Sequence, residues 1–288
     1  MSPEAGGRTP SPETVQKTRV KEPSYNHEYI LGGLEKAVIV SGDSHVGKQK
    51  ITEELGKLLG LPVQRGQGEF SRRTSGAEER ETRTVKTHRK FDSKQRRAFS
   101  HTTAGNAQIW ETRLGGINLA EVRDQRDDAE NRRKNLARIG KAPGTPLPEI
   151  PAISVLITAD RKSRIRRTQK EAWEKEGRRI SQEQAKDEMD ARVKDNIDVW
   201  KQFHPSRYVS DTVDPFDSNL QRPHNRGPVY DIVISNNDVD GIPERAAIEH
   251  VVMVLIERLR EFGAFGDFTI GEPIIGRPNK EEVVNQAV

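Results

Sequence analysis

Residues 36–60 read KAVIVSGDSHVGKQKITEELGKLLG. The opening apolar run, Ala37 to Val40, is uninterrupted, the pattern of a strand buried on both faces in a parallel sheet. Gly42 and Gly47 then bracket a tight turn. After it Ile51, Leu55, Leu58 and Leu59 recur at helical spacing, and Gly60 suits the helix end. The short run Leu61 to Val63 reads as a second strand, giving a strand–turn–helix–strand unit. Within the turn, GDSHVGKQ follows the phosphate-loop pattern G-x-x-x-x-G-K-S/T except at its last position. Two glycines let successive backbone N–H groups turn inward toward an anion, and the following helix adds its positive end. Gly42, Asp43, Ser44, His45, Val46, Gly47, Lys48 and Gln49 are therefore the candidate ATP-phosphate contacts, with Lys48 reaching the outer phosphates. His45 reads as an exposed loop residue.

Gln49 stands where a hydroxyl normally ligates Mg²⁺. Three outcomes stay open: water substitutes at the metal, the amide oxygen ligates it, or catalysis is lost while nucleotide binding persists.

Downstream, AISVLIT (152–158) and YDIVISN (230–236) read as further buried strands. The segment 160–203 reads as a charged helical stretch broken near Gly177, and PERAAIEHVVMVLIERLREF (243–262) as a closing amphipathic helix. Strands alternating with helices predict an α/β fold with a parallel sheet flanked by helices. Two stretches interrupt the rhythm: about 118–151, charged and then rich in Pro and Gly, and about 204–229, rich in turns. Residues 1–29 and 263–288 read as flexible tails around a body spanning 30–262.

The 288 residues include 48 Lys and Arg against 44 Asp and Glu, and no Cys. The mild positive excess fits anionic ligands and, equally, a solvated Arg-rich surface. Without cysteine there are no disulfides or thiolate metal sites. No apolar run approaches the length of a membrane span, and the N-terminus lacks an apolar signal core, so the expectation is a cytoplasmic protein. Few aromatics lie among the charges, which argues against stacking on single-stranded nucleic acid. The seven histidines show no metal-ligand spacing, and His88, His101, His204 and His224 read as surface residues.

Taken in order, these pieces resemble the cytidylate kinase-like family of nucleoside monophosphate kinases. The phosphate loop and its helix ending in Leu-Gly are similar to that family's opening. GQGEFSRRTSGA (66–77) resembles its glycine–aromatic–arginine segment. KFDSKQRRAFS (90–100) followed by ETRLGG (111–116) resembles an Asp-x-x-Gln helix and an Arg-Leu-Ala-Gly strand end. SVLITADRKSRIRRTQKEAWEKEG (154–177) is similar to a strand leading into an Arg-rich lid.

The resemblance implies a P-loop three-layer kinase domain with a helical lid at about 161–180, using ATP and Mg²⁺ to phosphorylate a nucleoside monophosphate such as CMP or dCMP. It implies Lys48, Arg164 and Arg167 as catalytic cations. Arg113, one of the pair Arg72 and Arg73, and Arg192 with Asp195 would hold the acceptor. Such transfer needs positive charge and in-line geometry more than a general base, because the acceptor phosphate is already ionised. Against the resemblance stand Gln49 and the two long interruptions, which could reshape substrate choice or recruit a protein partner. Gln49 keeps open a nucleotide-binding pseudo-kinase.

Overall fold

A computed structural model describes residues 34–65, 85–103, 107–138, 140, 147 and 149–266. Its centre is a sheet of five parallel strands in the order β2-β3-β1-β4-β5. They span Ala37–Ser41 (β1), Val63–Arg65 (β2), Ile109–Glu111 (β3), Ala152–Thr158 (β4) and Ile232–Ser235 (β5). The helices are Lys48–Leu59 (α1), Val85–Ser100 (α2), Gly115–Arg138 (α3), Arg161–Glu176 (α4), Gln182–Trp200 (α5) and Glu244–Glu261 (α6). This is the three-layer α/β P-loop architecture expected from the sequence.

Alternation along β1 builds both layers. Val38 and Val40 face a core shared with Ile51 and Leu55 of α1 and Val252 and Leu255 of α6. Ala37 and Ile39 face Phe99 of α2 and Leu119 and Val122 of α3. Successive strand residues point to opposite faces, so an unbroken apolar run is what a doubly covered strand requires.

The helix break expected at Gly177 is present. Gly177 closes α4 in the left-handed conformation (φ 65°), and Ser181 opens α5 with a reciprocal capping box to Gln184. Other expectations need correction. The stretch from 118 is no separate insertion: α3 begins at Gly115, directly after Arg113 and Leu114, and runs unbroken to Arg138. Its first half is buried on the sheet and its second half is largely exposed. The body also reaches past 262. Leu34 bridges Phe265 in antiparallel fashion, Glu35 N–H donates to Ala264 O at 2.9 Å, and Ala264 is fully buried. The residues read as tails otherwise lie outside the described residues. Among the described residues no helix is long and apolar enough to cross a membrane.

Segment 204–229 is held by side chains rather than by regular structure. Asp124 of α3, 2% exposed, accepts from Arg222 Nε at 3.1 Å and from the Tyr208 hydroxyl, whose acidity burial pushes far down. Arg222 also reaches Asp127 at 2.6 Å, and Arg226 reaches Asp128 at 2.6 Å. His204, read from sequence as a surface residue, is 5% exposed and bonds Glu121; His88 is 2% exposed. A histidine in a polar stretch carries no mark of burial. Here the apolar Trp200–Tyr208 cluster draws the segment down onto α3 and takes His204 with it.

Candidate functional site

At the C-terminal edge of β1 the chain curls. Gly42 has φ 155°, His45 62° and Gly47 83°. A Cβ on Gly42 would meet Ile157 O at 2.6 Å, and one on Gly47 would meet Asn236 Nδ2 at 2.5 Å. Only glycine fits both constraints. Asn236 Nδ2 donates to Val46 O at 2.8 Å and fixes the crown of the loop. Helix α1 starts at Lys48 with no side-chain cap and no acid in its first turn, which leaves its first N–H groups for an anion. Asp43 Oδ1 takes one loop donor, Ser44 N–H, at 2.6 Å, while the buried Ser44 hydroxyl has no partner. The backbone around Val46 is thus tightly curled and leads into an uncapped helix start.

Lys48 Nζ donates to Asp43 O at 3.3 Å and lies 3.8 Å from Glu111 Oε1 at the end of β3. Burial pushes its ammonium down to about 8; Glu111 and Asp43 oppose this, while Arg113 and Arg192 add to it. Cations from the loop, from the residue after Thr112 and from α5 therefore converge on one point. They line a cavity of about 580 Å³. Val239, Ile242, Ala247 and Ile248 add apolar groups to the same lining, along with Arg166 and Arg167. Lined by both cations and apolar side chains, the cavity suits an anion carrying an apolar group.

The expected site residues are placed unevenly. Arg113 Nη1 donates to Asn196 Oδ1 at 2.8 Å, and its guanidinium lies 5.9 Å from the centre of the Trp200 ring. Arg192 lines the same cavity, with Nη1 3.5 Å from His45 Nε2. Arg167 lines it too, held by Asp238 and by the carbonyls of Asn236 (2.8 Å) and His45 (3.3 Å). Arg164 is instead paired with Asp43, with Nε buried and unpartnered, and stands outside the cavity lining. Asp195 is exposed on α5 and also stands outside; its neighbour Asn196 makes the contact to Arg113. Arg72 and Arg73 lie outside the described residues.

One loop expectation changes. The His45 imidazole is only 8% exposed, not a solvated loop group. Its Nδ1 lies 3.0 Å from Glu171 Oε2 of α4, and that bond, with help from Lys175, holds the Glu171 carboxyl down at about 2. Gln49 Nε2 donates to Glu53 Oε1 one turn along α1, at 2.9 Å, a bond that leaves the amide oxygen, the atom a metal would take, uncommitted to Glu53. The next hydroxyl on the helix, that of Thr52, is bonded to Lys48 O (2.8 Å) and Gln49 O (2.9 Å). Among the described residues no group of three or more His, Cys, Asp or Glu is arranged to hold a metal.

Sequence reasoning missed Glu111, Asn236 and Asp238. Glu111 ends β3 two residues before Arg113, and the other two follow β5 at the sheet edge where ligands of open α/β sheets bind. Those positions were the available signal. Asp92 and Gln95, the Asp-x-x-Gln pair, are buried between α2 and α3: Asn118 Nδ2 donates to Asp92 Oδ1 at 2.8 Å and to Gln95 Oε1 at 2.9 Å. Burial raises the Asp92 pKa.

No protein-family model matches the chain, and no curated protein matches it by sequence. Solved structures do match in shape, at low similarity. An uncharacterized protein from Eubacterium ventriosum has a TM-score of 0.42 at 13% identity, over 79% of this chain and 99% of that one. A shikimate kinase from Acinetobacter baumannii has 0.40 at 12%, over 77% and 93%. A gluconokinase from Sinorhizobium meliloti has 0.39 at 12%, over 80% and 97%. Likenesses this distant do not bear on what this chain acts on.

Proposed function

We propose that this chain transfers a phosphoryl group from ATP to a nucleoside monophosphate, with CMP or dCMP as the first acceptors to test. The observation that carries the reading is the convergence of Lys48, Arg113 and Arg192 on one cavity beside the curled loop 42–47. Phosphoryl transfer asks a protein chiefly to position two anions and to balance their charge, and these cations are placed for that. In this reading loop N–H groups and Lys48 hold the donor's phosphates. The base lies against the apolar side chains of the lining, such as Ile242. Arg113, fixed by Asn196, takes the acceptor phosphate, and Arg192 faces the space between.

Mg²⁺ accompanies a nucleoside triphosphate and takes oxygen ligands. The Glu111 carboxylate beside Lys48 is an oxygen donor of the right hardness and would hold it, in place of a residue-49 hydroxyl. The metal would neutralise charge on the donor phosphates. A coupled ADP-release assay across the common monophosphates, with Mg²⁺ and with Mn²⁺, tests the reading. Turnover with at least one pyrimidine monophosphate is expected. ATP binding without turnover on any acceptor overturns it.

Gln49 in place of a hydroxyl, with the Thr52 hydroxyl bonded to backbone carbonyls, favours a second reading, a nucleotide-binding protein that no longer turns over. Gln49→Ser separates the two. A modest change from an active wild type supports the enzyme, and a large gain from near zero supports the rival.

A further inference from the structure

Segment 204–229 does more than cover α3, for through Trp200 it touches the seat of Arg113, which lines the cavity. The Phe216 ring meets Trp200 edge-on, with centroids 6.0 Å apart and planes at 80°. Trp200 ends α5, is 2% exposed, and carries the Arg113 guanidinium near its ring. The segment, the indole and the cation form one continuous series of contacts.

Phe216 is itself held from several sides. Its N–H donates to Asp214 Oδ1 at 2.8 Å, and the Tyr230 hydroxyl donates to the carbonyl of the preceding Pro215 at 2.5 Å. The Tyr230 ring lies so close on Gly116 that a Cβ there would meet its Cε1 at 2.2 Å. Gly116 is three residues beyond Arg113, in the first turn of α3. One rigid block therefore joins the segment, the strand edge and the start of α3, and Arg113 is seated on it. A guanidinium recognises an anion through a planar fork, so its selectivity depends on the plane being fixed. A neighbouring indole supplies a plane and an attractive face. Asn196 pins one Nη, and the indole sets the tilt only while the indole itself cannot move.

We propose that Phe216 is a positioning residue for the acceptor's phosphate, acting through the Trp200 ring on the Arg113 guanidinium. The proposal rests on the phosphoryl-transfer reading above and assigns the 204–229 segment its part in it. Calorimetric titration of the full chain with CMP, dCMP and ATP, alongside steady-state kinetics and thermal melts, tests it in Phe216→Ala and Phe216→Tyr. In Phe216→Ala the acceptor Kd and KM should rise roughly tenfold or more. Turnover should fall by less than KM rises, and the ATP Kd should hold within about twofold. Phe216→Tyr, which keeps the ring edge, should restore acceptor affinity. A wild type that binds no monophosphate overturns the acceptor reading and this inference together. A wild type that binds one, with Phe216→Ala binding it equally well, overturns the inference alone. So does an equal loss of ATP and acceptor affinity, or a lowered Tm with KM unchanged, since either assigns Phe216 to the core only.

Discussion

The loop 42–47, which lines the cavity, and the segment 204–229, packed on α3, are both irregular backbone, yet they are put together in opposite ways. The loop bends through left-handed residues, ends on an uncapped helix and leaves the Ser44 hydroxyl unmatched. The segment matches its polar groups internally: Ser210 accepts from Val213 N–H (3.1 Å), Asp217 from Asn219 N–H (2.8 Å), and Arg222 N–H donates to Gly227 O (2.9 Å). Unmatched donors on a curled backbone are a receptacle, whereas matched ones on an aromatic floor are a wall. Irregular backbone as such says nothing about function. What separates the two is whether its hydrogen-bonding groups are already used.

Lys48→Ala gives the largest test of that contrast. Removing the cation at the centre of the receptacle should cut turnover by about a thousandfold or more. The melting temperature should hold or rise, because a charge that burial already disfavours is removed. A melting temperature that falls along with activity would make Lys48 part of the scaffold and erase the distinction.

Asp124→Asn probes the wall and should behave the other way. It removes the charge and one of the two oxygens that accept from Arg222 and Tyr208 and should cost about 3 kcal/mol of stability in denaturant melts. ATP binding by the folded fraction should stay close to wild type. Loss of ATP binding at unchanged stability would show the wall reaching into the donor site.

A smaller effect follows from pH. The native Lys48 pKa of about 8 lies below its ordinary 10.5. The unfolded chain therefore binds the extra proton between those values, and the fold gains stability as pH rises through that window. Anion binding needs the protonated form, so ATP affinity should fall above about pH 8, by at most about tenfold per unit. Lys48→Arg should flatten that decline, since guanidinium stays charged. An equal decline in both proteins would move the titration to another group.

The sequence made the loop legible because glycine spacing and helical period are local signals. The apolar runs of β1 and β4 carried the layer arrangement for the same reason. Other features depend on what the chain meets far along its length. Arg164 and Arg167 share a helix face and read alike, yet Asp43 takes one and Asp238 the other. Only Arg167 is left facing the cavity. Asp195 and Asn196 differ by one position on α5, a rotation that no residue pattern fixes. The burial of His204 needed Glu121, distant in sequence, and Trp200 is recognisable as a platform only once Arg113 and Phe216 are seen against it.

The bridge between Leu34 and Phe265 brings the two ends of the body side by side. A short peptide joining them would close the chain into a ring. New termini could then be opened at an exposed turn such as Gly241, leaving every strand in its place in the sheet.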